Sequence, residues 1–203
     1  MGGIKLKEAF LNHSVSFLMK YQNYNDDELE MVKYGLEGLY LTITKLVVII
    51  GMSLLLKIFW EVISILILFN IIRYFGFGIH AKRSIECLIT SLIFFIGIPY
   101  LLLHIEIPKI WILVSGIALI ISYLFWAPAD TVKRPLPNNK KKRIRKIMTI
   151  VVGVIYLVLS LVINDYKISI LFFITMIIQA IVICPVTYIL LRQPYNNYKK
   201  LDV

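Results

Sequence analysis

Six apolar runs, at about 39–56, 58–75, 85–103, 110–127, 147–163 and 168–191, constrain this chain more than any other feature. Each is close to the ~20 residues that a helix needs to cross the hydrocarbon core of a bilayer. Hydrophobic residues make up 59% of the chain and charged residues 17%, where a soluble domain carries about 25% charge. One soluble core cannot absorb that apolar excess, so the default solvent is lipid. The sequence therefore predicts an all-α integral membrane protein with about six transmembrane helices, organised as one membrane-embedded domain over 1–203.

The net charge is +10, from 22 Lys and Arg against 12 Asp and Glu. In a soluble protein this would point to nucleic acid. Here the basic residues fill the gaps between apolar runs, so they point to membrane topology and anionic headgroups, with no nucleic-acid partner. The N-terminal segment, the 73–86 loop, the 127–146 loop and the C-terminal tail together hold 18 Lys and Arg. The opposite side holds Lys57, Lys109 and Lys167, and Lys45 lies inside the first run. By the positive-inside rule the rich side is cytoplasmic. The expectation is a multi-pass protein of the cell membrane with both termini in the cytoplasm.

Residues 1–38 read as cytoplasmic or interfacial helices. Leu6, Phe10, Phe17 and Tyr21 recur at near-helical spacing over 5–21, the pattern of a short amphipathic helix at the membrane surface. Asn25 followed by Glu28 has the form of a capping box, opening a second helix that runs into the membrane. No signal-peptide core is expected in this stretch. Gly2 is present, but Leu6 stands where myristoylation needs Ser or Thr. The first two runs, separated only around Lys57, predict a tight helical hairpin. Cys87 and Cys184 are too few for a disulfide framework and lack metal-site spacing.

The stretch with chemical content is RYFGFGIHAKRSIEC at 73–87, on the basic side between the second and third runs. It sets a histidine and a cysteine seven residues apart. A thiol nucleophile needs a base, and an imidazole suits that task near neutral pH. In one straight helix His80 and Cys87 would lie ~10 Å apart along the axis, too far for a hydrogen bond. Ser84 as N-cap would make Cys87 the third residue of the next helix. Gly76 and Gly78 would let the preceding chain bend, so that His80 folds back over the helix end. The helix dipole and free amides there would favour a thiolate. A His–Cys pair alone is a weak signal, because buried cysteine usually packs as a small apolar side chain.

Several other residues are candidates for supporting roles. Glu37 opens the first run and Glu61 lies in the second. Intramembrane acids invite a functional reading, although an ion pair with Lys45 or Lys57 is as good an account of Glu61 as orienting His80. Asp130, in WAPADTVKRPLP, can contact His80 or cap its own turn. KKKRIRK at 140–146 reads as a headgroup and topology anchor. Cys184 reads as packing beside a kink, and His13 and His104 as surface residues.

The pattern R-x4-G-x-H-A-x5-C, here Arg73, Gly78, His80, Ala81 and Cys87, resembles the accessory gene regulator B family of quorum-sensing membrane endopeptidases. YGLEGL at 34–39 is similar to the segment before the family's first span, and APADTVKRPLPNNKKKR at 127–143 to its Pro- and Lys-rich loop. The chain departs from the pattern in Phe77, beside a retained Gly78, which bears on the pocket and not on the reaction class. The resemblance implies a short amphipathic, AgrD-like precursor peptide with an acidic C-terminal tail as substrate. It implies His80 and Cys87 as the catalytic pair, with Arg73 positioning the substrate or bracing the loop. It further implies a thioester on Cys87 and closure of the peptide into a ring, at a lipid boundary that keeps water out. No metal or organic cofactor is implied, and a homodimer is compatible with this reading. The rivals are a non-enzymatic peptide transporter or membrane scaffold, indifferent to the Cys87 thiol, and an assembly or adaptor protein tolerant of changes at both His80 and Cys87.

Overall fold

A computed structural model describes residues 2–21, 25–79, 84–129, 139–193 and 195. Two compact units form, Met1–Gly51 and Met52–Val203. The first holds α1 (Gly2–Met19) and most of α2 (Asp26–Leu55), whose last residues, from Met52, belong to the second. The start of α2 is fixed by side chains: Asn25 Oδ1 accepts from the Glu28 N–H at 2.8 Å, and Glu28 Oε2 accepts from the Asn25 N–H at 3.0 Å. This reciprocal cap satisfies two donors that a bare helix end would leave open. Asp26, Asp27 and Glu28 also complement the positive end of the helix dipole. No break follows, so the capped helix and the first membrane run are one 30-residue element. Within this unit the Lys7 ammonium donates to the Glu37 carboxylate, and the rings of Phe10 and Tyr40 lie 5.3 Å apart.

Lys57, in the left-handed region at φ 58, turns the chain out of α2. Its N–H donates to Leu54 O and that of Ile58 to Ser53 O, the paired bonds of a Schellman stop. The second unit then runs through α3 (Phe59–Gly76), α4 (Ser84–Leu92), a π-helical stretch (Ile93–Gly97), α5 (Ile98–Leu103), α6 (Lys109–Trp126), α7 (Asn139–Val162), α8 (Tyr166–Ile183) and α9 (Pro185–Leu190). The described elements are all helices, and the one isolated bridge among them is parallel and joins Phe77 to Ala129. Six helices are long and apolar enough to cross a membrane, which makes this an all-α multi-pass membrane protein.

The second, third and fourth spans fall within a residue or two of the sequence expectation. The fifth helix begins at Asn139, well before 147, because the basic run 140–146 is itself helical. The sixth span ends at Ile183, short of the expected 191. Pro185 has no N–H to continue the helix and disfavours helical geometry in the residue before it. Cys184 accordingly turns extended, at ψ 131, and α9 restarts at the proline.

Helix α8 forms the core, packed by α3, α6 and α7. It is mostly apolar, and from Ser169 to Ile183 most of its residues are buried, as in a central helix. Two tyrosine hydroxyls tie neighbours together inside the bundle, Tyr123 to Met176 O at 2.7 Å and Tyr156 to Leu68 O at 2.9 Å. At the end away from the 76–84 connection, Lys109 Nζ donates to Leu161 O at 2.8 Å, capping α7. There the Tyr166 hydroxyl donates to Ile105 O and accepts from the Ile107 N–H.

Candidate functional site

The candidate site is built on the turn that ends α3. The Phe77 N–H closes the helix onto Arg73 O at 2.9 Å, and Phe77 itself takes φ 55, ψ −136. That conformation suits glycine, and an aromatic residue holds it only where its surroundings over-determine it. They do so here. The Arg145 guanidinium, from α7, stacks 4.4 Å from the Phe77 ring centre and donates to Tyr74 O at 2.7 Å. Gln179 Nε2, from α8, donates to Phe77 O at 3.3 Å.

Gly78 follows at φ 126, where a Cβ would lie 2.2 Å from Val182 Cγ1. Both the backbone angle and the space demand glycine. One residue of the pattern is thereby explained. Gly76 is also tightly covered, since a Cβ there would meet Gln179 Nε2 at 2.5 Å.

Three chain segments meet in this turn through their backbones. The Gly78 N–H donates to Ala129 O and the Ala129 N–H to Gly76 O, both at 3.1 Å, while the Ile79 N–H donates to Val182 O at 3.2 Å. Tyr188 adds its hydroxyl to Ala129 O. Arg73 reaches across the turn, its Nη2 donating to Ile79 O at 2.9 Å. The Arg73-x4-Gly78 spacing thus has a physical meaning. An arginine one turn before the helix end can grip the carbonyl just beyond the glycine, and the glycine lets the chain bend into reach. Through this bond Arg73 braces the turn.

Cys87 lies in the first turn of α4, half-buried, beside Glu86. The helix begins at Ser84. Ser84 is therefore its first helical residue and not the cap ahead of it, a one-residue shift of the expected boundary. Cys87 remains in the first turn of the helix, at the positive end of its dipole. The third span packs on α3 through Phe95 and Phe69, ring centres 5.2 Å apart. From that contact, Gly76 is about 10 Å along α3 and Cys87 about 12 Å back along the third span.

His80 and Asp130 lie outside the described residues, although their neighbours Ile79 and Ala129 are both buried in the turn. Glu61 does not belong to this end. It sits in the first turn of α3, about 22 Å along the helix from Gly76, where its charge complements the helix dipole. It is therefore too far away to orient a base at the 73–87 loop. Glu37 is taken by Lys7 within the N-terminal unit. Cys184 links α8 to α9, half-buried. No group of His, Cys, Asp and Glu suited to a metal occurs among the described residues.

The sequence reading passed over Arg145 and Gln179. Arg145 is hidden in a basic run that reads as a headgroup anchor, and this one residue also clamps the end of α3. Gln179 carried a usable signal, being the one amide side chain within the apolar run 168–191.

The description of accessory gene regulator B matches residues 11–183. Accessory gene regulator protein B of Staphylococcus carnosus (strain TM300) is 31% identical over 161 residues, 79% of this chain and 84% of that protein. The putative AgrB-like protein of Listeria innocua serovar 6a is 29% identical over 208 residues, 100% of both chains. Accessory gene regulator protein B of Staphylococcus aureus (strain JH1) is 31% identical over 156 residues, 77% of this chain and 83% of that protein. No solved structure matches. With the match extending over most of its length and taking in the Arg73–Cys87 stretch, the chain belongs to the accessory gene regulator B family.

Proposed function

We propose that this protein is a membrane cysteine endopeptidase of a quorum-sensing system, acting as one domain over 1–203 on a short amphipathic AgrD-like precursor. The observation that carries the reading is the braced turn. Arg73, Arg145, Gln179 and two neighbouring backbones hold residues 76–79 in place, immediately before His80 and eight residues ahead of Cys87 in the chain. A fixed support of this kind is what a base and a nucleophile need if they are to meet repeatedly in one geometry.

In the proposed reaction His80 removes the thiol proton, and the Cys87 sulfur attacks the carbonyl at the end of the future signal segment. Backbone N–H groups at the start of α4 stabilise the oxyanion. The departing amine of the acidic tail takes the proton back from His80, leaving the peptide as a thioester on Cys87. A nucleophilic side chain of the peptide then attacks that thioester, gives up its proton, and leaves as a ring while the Cys87 thiol is restored. The basic end of the bundle faces the cytoplasm in this scheme, where the precursor is made.

Replacing Cys87 by Ala or Ser is expected to abolish precursor cleavage without affecting membrane insertion, while Cys184→Ala cleaves normally. A precursor whose ring-closing nucleophile is replaced by Ala should accumulate on the wild-type enzyme. The adduct is read as a mass shift on Cys87 equal to the peptide without its tail, and neutral hydroxylamine should release it. Cleavage that persists in Cys87→Ala would overturn the reading in favour of a transporter or scaffold working with another protease. Reporter fusions after residues 57, 80, 107, 138, 165 and 203 test the orientation. Cytoplasmic signals are expected at 80, 138 and 203, and a cytoplasmic signal at 107 would break the six-span arrangement.

A further inference from the structure

Pro185 ends α8, and the place where it does so decides which carbonyl is set free. In an unbroken helix Val182 O would accept from the Val186 N–H, four residues on. Pro185 turns Cys184 extended, at ψ 131, which carries residue 186 away from that bond. Val182 is buried, and a buried carbonyl needs another donor. Its neighbours find theirs locally. Ile181 O accepts from the Cys184 N–H at 3.2 Å and from the Thr187 hydroxyl at 2.6 Å, and Cys184 O accepts from the Thr187 N–H at 3.0 Å. Val182 O accepts instead from the Ile79 N–H of the α3 turn, at 3.2 Å.

That bond falls on the residue before His80. Ile79 is buried, and both of its backbone groups are held: the N–H by Val182 O, and the carbonyl by Arg73 Nη2 at 2.9 Å. The Ile79 carbonyl and the His80 nitrogen share one rigid peptide plane, so the chain enters His80 from a fixed plane. One hold is a side chain of the same turn. The other exists because a distant helix gives up its own bond. We propose that Pro185 is a positioning residue: by breaking α8 it reserves Val182 O for Ile79, and so sets the plane from which His80 is presented. This rests on the reading of His80 and Cys87 as the catalytic pair. It gives a proline three residues after Val182 a task beyond ending the span, since the break costs α8 the very bond that the turn uses.

The test uses the full-length protein in lipid nanodiscs and the precursor lacking its ring-closing nucleophile. Two quantities are read: the rate of adduct formation on Cys87, and deuterium exchange at the Ile79 amide. Pro185→Ala lets the helix run on, so the N–H of residue 186 competes for Val182 O. Adduct formation should fall by about tenfold, the worth of one hydrogen bond, and exchange at Ile79 should speed up by about as much. Adding Val186→Pro removes the competing N–H, at an exposed position near the start of α9 where proline is tolerated. The double variant should return to within about threefold of the wild-type rate and restore protection of Ile79. The proposal is overturned if Pro185→Ala forms adduct at the wild-type rate or leaves Ile79 exchange unchanged. It is equally overturned if the double variant is no better than the single one, since Pro185 would then serve only to end the span. No adduct from the wild type would instead sink the nucleophile reading, and exchange at Ile79 would still decide whether Pro185 reserves Val182 O.

Discussion

At one end of the Met52–Val203 unit, three chain segments are tied backbone to backbone: Gly76–Ile79, Ala129 and Val182. At the other end the ties are made by side chains, with Lys109 reaching the carbonyls that end α7 and Tyr166 bridging Ile105 and Ile107. Backbone ties fix a segment to a fraction of an ångström and leave no room for substitution at the glycines beneath them. Side-chain ties close an end while tolerating change, because one lost hydrogen bond near water is replaced by another. The first construction suits an end that must hold reacting groups in place. The second suits an end that only has to stay shut.

That contrast is open to attack. The largest effect is expected at Gly78. Gly78→Ala combines a strained φ with a clash on Val182, costs of about 1–3 kcal/mol each. It should lower the unfolding temperature in detergent and abolish adduct formation on Cys87. A folded, active Gly78→Ala protein would show that the turn is less constrained than its contacts imply. Arg145→Lys keeps the charge but loses the planar stack on Phe77. Adduct formation should fall by roughly tenfold while topology reporters stay unchanged, the loss of about 1.4 kcal/mol of a charged hydrogen bond. An equal loss of reporter signal would return Arg145 to the role of topology anchor. The smallest effect belongs to the other end. Tyr166→Phe should cost about 1 kcal/mol of stability at most and leave the cleavage rate untouched. A large loss of cleavage there would erase the distinction between the ends.

The six spans and the capping box at Asn25 were legible because they rest on local rules: run length, and two side chains three residues apart. The motif around Arg73 and Gly78 was legible as a pattern but not as a mechanism. Its meaning depends on Val182, about a hundred residues away, and no spacing rule reports such a contact. Arg145 was passed over for a related reason. Within KKKRIRK one guanidinium resembles the next, and only the fold selects the one that reaches Tyr74 O and the Phe77 ring. Glu61 was drawn into the site because its position along α3 was not weighed against the helix's length.

The π-helical stretch at Ile93–Gly97, where the Ile98 N–H reaches back five residues to Ile93 O, sits between the thiol and the rest of its own span. A π-bulge amounts to one residue added to a regular helix, and one residue corresponds to about 100° of rotation. The compass bearing of Cys87 is thus set about two to three turns away, by an added residue below it. Were that stretch to relax to ordinary α-geometry with the lower span held fixed, the sulfur would swing by that angle around the helix axis and face a different neighbour. The third span works as an indexed shaft, whose phase sets the direction in which the thiol faces.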